Sequence, residues 1–149
     1  MAVKPIPDDY HSVTPYLIVE GAAKLIDFAK AAFGAEERTR MAGPGGAIMH
    51  AEIGIGDSVV MLSDAMPPDY PPTSTMLHLY VTDVDATYKS ALAAGATSER
   101  EPADQFYGDR SAGIKDAFGN RWYIATHVED VSPEEMEKRA AAQRQPAGG

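Results

Sequence analysis

The chain has 149 residues, with 22 acidic against 13 basic side chains for a formal net charge of −9, and no cysteine. That length suffices for one domain or two small fused modules with a real core. The missing thiols exclude disulfides, thiolate metal sites and a cysteine nucleophile, while the acidity and the scattered Lys and Arg argue against nucleic acid and anionic membranes as partners. Apolar runs such as YLIV and VVML fall far short of a membrane span, and the opening MAVKPIPDDY carries no leader pattern, so a soluble cytoplasmic protein is expected.

From Tyr16, the stretch YLIVEGAAKLIDFAKAAFGAEE predicts a strand, a helix and a second, charged strand. Ala22, Leu25, Ile26 and Ala29 recur at three- and four-residue steps, which gives the helix one buried face, and Gly34 stands where a left-handed C-cap is needed. AGPGGA, residues 42–47, fits a turn between strands; it lacks the lysine and the strand-to-helix setting of a phosphate-binding loop. AEIGIGDSVVML then reads as two strands joined at Gly56 and Asp57. DAMPPDYPPTST, residues 64–75, has four prolines and reads as an extended linker.

The same plan follows again. LYVTDVDATYKSALAAGATSE matches the first strand and helix, with Val81 against Val19 and Gly95 against Gly34, offsets of 62 and 61. Val84, Tyr88, Ala91 and Leu92 form the helix face, and GIKDAFGNRWYIAT repeats the hairpin at Gly119 and Asn120. The expected fold is therefore α+β: two βαβββ modules forming a curved mixed sheet, with helices on the convex face and a concave ligand cavity. Residues 9–64 are the first module, 65–75 the Pro-rich linker and 76–128 the second module. Residues 129–149 hold a short helix from about Pro133 to Ala142, announced by Ser132 and Glu135 as a capping pair, and a disordered tail.

Alternation along the strands separates a helix-packed face from its opposite. Val13, Leu17 and Val19, then Ala51, Ile53 and Ile55, Val60 and Leu62, Leu77, Leu79 and Val81, and Trp122 and Ile124 form the packed set. The opposite face collects Tyr16, His50, Glu52, Met61, Met76, His78, Tyr80, Arg121 and Tyr123. An apolar lining with a few convergent polar groups suits a small-molecule pocket; the alternative is a solvated sheet face. DQFYGDR, residues 104–110, is a polar aromatic loop in which Tyr107 and Arg110 either close over a ligand or tie the loop down.

The duplication, the segments VEGAAKLIDFAKAAFGAEE, IGDSVVML and DAFGNRWYIATH, and further stretches HSVTPYLIV, DQFYGDR and ATHVEDVSPEE resemble the vicinal oxygen chelate superfamily, in its PhnB-like, glyoxalase/bleomycin-resistance branch. The resemblance covers about Tyr10 to Glu135. It implies four metal-ligand positions, on the first, fourth, fifth and eighth strands, which fall here on Thr14, Met61, Met76 and Tyr123. Those side chains do not make a divalent-metal site, so no metal and no cofactor is expected. A displaced set of His50, Glu52 and His78 is the alternative, since two histidines and a carboxylate are a known ligand combination.

The leading expectation is a homodimer that binds a small organic molecule without metal, as the resistance proteins do, with Tyr16, Met61, Met76, Tyr80 and Tyr123 as apolar wall and His50, Glu52, His78 and Arg121 as orienting contacts. The alternative is a divalent-metal-dependent lyase, isomerase or dioxygenase, or a metal-free enzyme in which His78 and Glu52 act as acid and base.

Overall fold

The computed structural model describes residues 2–144. The first module runs β1 (Tyr16–Val19), α1 (Ala22–Phe33), β2 (Glu36–Ala42), β3 (Ile48–Ile55) and β4 (Ser58–Asp64). The second runs β5 (Met76–Tyr80), α2 (Val84–Ala93), β6 (Thr97–Asp104), β7 (Asp109–Lys115) and β8 (Arg121–His127), and α3 (Pro133–Gln143) follows. Each module forms a four-stranded mixed sheet, ordered β1-β4-β3-β2 and β5-β8-β7-β6. The first strand of each pairs in parallel with the fourth, and the other pairs are antiparallel.

Helix α1 forms because its apolar residues fall on one face: Leu25, Ile26, Phe28, Ala29 and Ala32 are buried. Gly34 closes it at φ 67°, a left-handed backbone that a Cβ would disfavour, and its N–H bonds to the Lys30 carbonyl. The other end has no side-chain cap of its own. Asp64, at the end of β4, serves instead: its carboxylate accepts the N–H of Gly21 at 3.0 Å, of Ala22 at 2.8 Å and, from β3, of Ile48 at 2.7 Å. The second module repeats the device 62 residues on, where the Thr126 hydroxyl accepts the Val84 N–H at 2.9 Å and donates to the Val81 carbonyl at 2.9 Å. In both modules the fourth strand therefore anchors the helix start, which satisfies donors that a helix leaves unpaired.

The two helices pack on each other, and a single hydrophobic core runs through both modules. Leu17, Val19, Ile53, Val60 and Leu62 from the first sheet join Ile114, Trp122 and Ile124 from the second, with Phe33 lying 4.7 Å from the Trp122 ring. The helix-covered sheet faces share that core, so each bare face lies on the far side of its sheet.

Three local expectations change. Val13 is 85% exposed and precedes β1, which starts only at Tyr16, where pairing with β4 begins. The second hairpin is longer than a two-residue turn. Asp116, buried in it, accepts from the N–H of Phe118 and Asn120 and from the indole of Trp122 at 2.9 Å, while the Asn120 side-chain amide oxygen accepts the Thr75 N–H. The linker folds back along the edge of β1 rather than simply extending: Ala65 and Thr73 donate to the Val19 and Ile18 carbonyls, and Met66 pairs with Tyr70. Beyond it, α3 starts on the expected Ser132 cap and ends one residue later than predicted, at Gln143. Arg139 ties it to Glu129 and to the Phe106 carbonyl. Residues 145–149 of the expected tail lie outside the described residues.

Burial alone would raise the Asp64 carboxyl; the N–H groups of Ala22, Ile48 and Gly21 outweigh it and hold it below the usual 3.8. Its contribution is therefore present above that value and lost as pH falls through the lowered one. Asp64→Ala should cost about 2 kcal/mol in urea unfolding at pH 7, with the gap to wild type narrowing in acid.

Candidate functional site: two bare sheet faces

Alternation in β1, β3 and β4 places Tyr16 and Ile18, His50 and Glu52, and Met61 and Ser63 on the bare face of the first module. The register is tight: Tyr16 stands opposite Met61, and Met61 opposite Glu52. The His50 imidazole bridges its neighbours, with Nε2 at 2.8 Å from the Glu52 carboxylate and Nδ1 at 3.0 Å from the Tyr16 hydroxyl. The Glu52 side chain is 15% exposed, so the chain Glu52–His50–Tyr16 is half sheltered. Donation of Nε2–H to Glu52 leaves Nδ1 facing the Tyr16 hydroxyl. Beside it, Tyr16, Ile18, Met49, Ser63, Met66 and Tyr70 line a pocket of about 520 Å³. Two of those walls, Met66 and Tyr70, come from the linker.

The bare face of the second module carries Met76, His78 and Tyr80 from β5, Arg121, Tyr123 and His127 from β8, Asp109, Ser111 and Gly113 from β7, and Arg100 from β6. One row crosses all four strands: His78 opposite Tyr123, Tyr123 opposite Gly113, and Gly113 opposite Arg100. His78 and Tyr80 stack edge to face at 4.9 Å. The Tyr80 hydroxyl donates to Asp109 at 2.8 Å, and His127 reaches Asp109 at 2.8 Å and Asp130 at 2.7 Å. Burial alone would raise the Asp109 carboxyl, but His127 and Tyr80 hold it below its usual value. Asp130 first, then Asp109, raise His127; in its imidazolium form it donates from both nitrogens and clamps β8 to β7.

The residues singled out from the sequence thus divide between two faces. His50 and Glu52 belong to the first and His78 to the second, and among the described residues no three His, Asp or Glu side chains gather as a metal set. Glu52 has His50 as its partner, not His78. Arg121 is bound to Glu99 at 3.1 Å. Arg110 turns to the helix side, where Asp85 takes it through two bonds of 2.8 and 3.0 Å and Asp104 through a third. Tyr107 packs against Phe106 in a loop tied to α3 through the Arg139 bond to Phe106. Sequence reasoning missed Arg100, Asp109 and His127 and the pocket walls Met49, Ser63, Met66 and Tyr70. Alternation in β4 could have found Ser63, two residues past Met61; the linker residues gave no such signal.

The chain matches the model of the Glyoxalase/Bleomycin resistance protein/Dioxygenase superfamily over residues 10–124. It belongs to that superfamily. An uncharacterized protein of Mycobacterium tuberculosis is 38% identical over 142 residues, covering 89% of this chain and 84% of that one. Among solved structures, TioX from Micromonospora has a TM-score of 0.64 at 22% identity, over 78% of this chain and 100% of its own. A PhnB protein from Bacillus cereus has a TM-score of 0.64 at 16% identity, over 78% and 99%. These likenesses establish the fold of two βαβββ modules. No helix among the described residues of this superfamily member is long and apolar enough to cross a membrane.

Because the His127 value is raised, the clamp stabilises the fold fully below 6.5 and loses its effect as pH rises through the raised value. Urea unfolding should therefore show a larger gap between wild type and His127→Gln at pH 6 than at pH 9. Asp130→Asn should bring the His127 titration, followed by NMR, back toward 6.5.

Proposed function

We propose that this protein binds a small organic molecule without a metal, in the cytoplasm and as a homodimer. The pocket over the first module carries the reading. Its volume of about 520 Å³ suits a drug-sized molecule, and its walls are two Met, two Tyr and an Ile with a single Ser. The Glu52–His50–Tyr16 chain supplies the orienting polar end. The donors at the superfamily's metal positions do not fit a divalent ion: Thr14, Met61 and Met76 offer no carboxylate or imidazole, and Tyr123 lies beneath the Arg100 guanidinium.

Dimerisation is supported by what the bare faces leave uncovered. Tyr16, Met41, Met49 and Tyr70 are exposed on the side of the first module, and Met76 and Tyr80 on that of the second. Large apolar side chains grouped this way mark a surface made to be covered.

Light scattering should give a mass about twice 15.9 kDa. The neutral apolar fluorophore N-phenyl-1-naphthylamine should bind stoichiometrically, unaffected by EDTA, and Met66→Ala or Tyr70→Ala should weaken it about fivefold. A divalent metal purifying at one per chain, whose removal abolishes binding, would replace this reading with the metal-dependent one.

A further inference from the structure

Arg100 holds a charge that the other described residues leave unanswered. In a chain with nine more carboxylates than cations, the other strand arginines each have an acidic partner: Arg38 pairs with Asp9, Arg40 with Glu37, Arg110 with Asp85 and Asp104, and Arg121 with Glu99. Arg100 has none among the described residues. Of the carboxylates on either side of it in sequence, Glu99 is taken by Arg121, and Glu101 forms no ion pair with it. What Arg100 has is a mount. Its Nη2 donates to the hydroxyl of Ser111, which is 1% exposed, at 3.0 Å, and its guanidinium lies 5.4 Å from the Tyr123 ring centre.

The mount depends on an absent side chain. A Cβ at Gly113 would stand 3.0 Å from Tyr123 Cε1 and 3.6 Å from Arg100 Cβ, so the glycine lets the ring lie close across β7 under Arg100, and an alanine would press it aside by a few tenths of an ångström. His78 borders Tyr123 in the register, and Tyr80 borders His78. The one carboxylate central to this face, Asp109, is 4% exposed and enclosed by Tyr80 and His127, so it does not oppose an incoming anion.

We propose that the bare face of the second module is a subsite for a small planar organic anion, a carboxylate on an aromatic or conjugated skeleton, held by Arg100 over the Tyr123 ring. A guanidinium is weakly hydrated and offers a planar fork of donors that matches a carboxylate in two parallel bonds. Stacking on Tyr123 and the bond to Ser111 hold the fork in place beforehand, which lowers the ordering cost of binding. The flat skeleton lies along the row of Tyr123, His78 and Tyr80.

This rests on the reading above in setting a ligand against the bare faces. The test titrates the full chain with benzoate and with its neutral counterpart benzamide, following arginine Nε–H and tyrosine ring resonances. Benzoate should bind about tenfold more tightly than benzamide and shift the Arg100 and Tyr123 signals. Arg100→Gln should abolish the preference and Gly113→Ala weaken it with the charge intact, while Arg40→Gln, in the first module, retains it. Equal affinities, no binding of either probe, or a preference that survives Arg100→Gln overturns the proposal. So does an altered oligomeric mass in Arg100→Gln, which makes Arg100 a subunit contact. Loss of the naphthylamine signal with the benzoate preference retained removes only the earlier reading; equal affinities with that signal retained remove only this one.

Discussion

Phe33, the last residue of α1, reaches across the module boundary to lie 4.7 Å from Trp122, and around that contact the two modules close on one core. Burying large aromatic surface is the strongest drive available to a chain of this size without disulfides. Once both helix-covered faces are committed to that core, the alternation of the strands leaves no choice about the rest: every second side chain of β1, β3, β4, β5 and β8 must look away from it. The candidate sites are thus a by-product of where the apolar residues had to go.

Precision within each module comes from a different source. Asp64 and Thr126, at matching places in the two repeats, fasten the fourth strand to the start of the helix. Because the fourth strand lies beside the first, this bond network fixes the strip on which Tyr16 faces Met61 and His78 faces Tyr123. The chemistry has diverged on this common frame. The first module carries an acid–imidazole–phenol chain next to an apolar pocket, and the second an aromatic row ending at a guanidinium. A duplicated fold has been furnished with two unlike faces, and fold alone does not dictate what such faces do.

Much of this was legible before any coordinates. The repeat offset, the helix faces, the Ser132 cap and the inside-outside division of the strands depend on periods of 3.6 and 2, which are local properties of the chain. Where reading stopped short, the interaction was between distant segments. Nothing near Arg110 in sequence announces Asp85, and nothing in a proline-rich linker announces that Met66 and Tyr70 come to rest over Tyr16 and Ile18. Arg100 stood in a charged stretch with Glu99 and Glu101 and looked like solvated surface; the vacancy at Gly113, thirteen residues on and one strand across, gives it a platform.

By itself the sequence determined the two βαβββ modules, their family and the side of each strand on which a residue falls, because burial patterns repeat within a few residues of themselves. Only the tertiary structure decided which polar groups meet. It split the expected constellation into two faces, gave His50 to Glu52 and Tyr16 rather than to His78, and left Arg100 without a carboxylate among the described residues. Those outcomes depend on strand register and on how the modules share a core, quantities set by contacts between residues far apart in the chain.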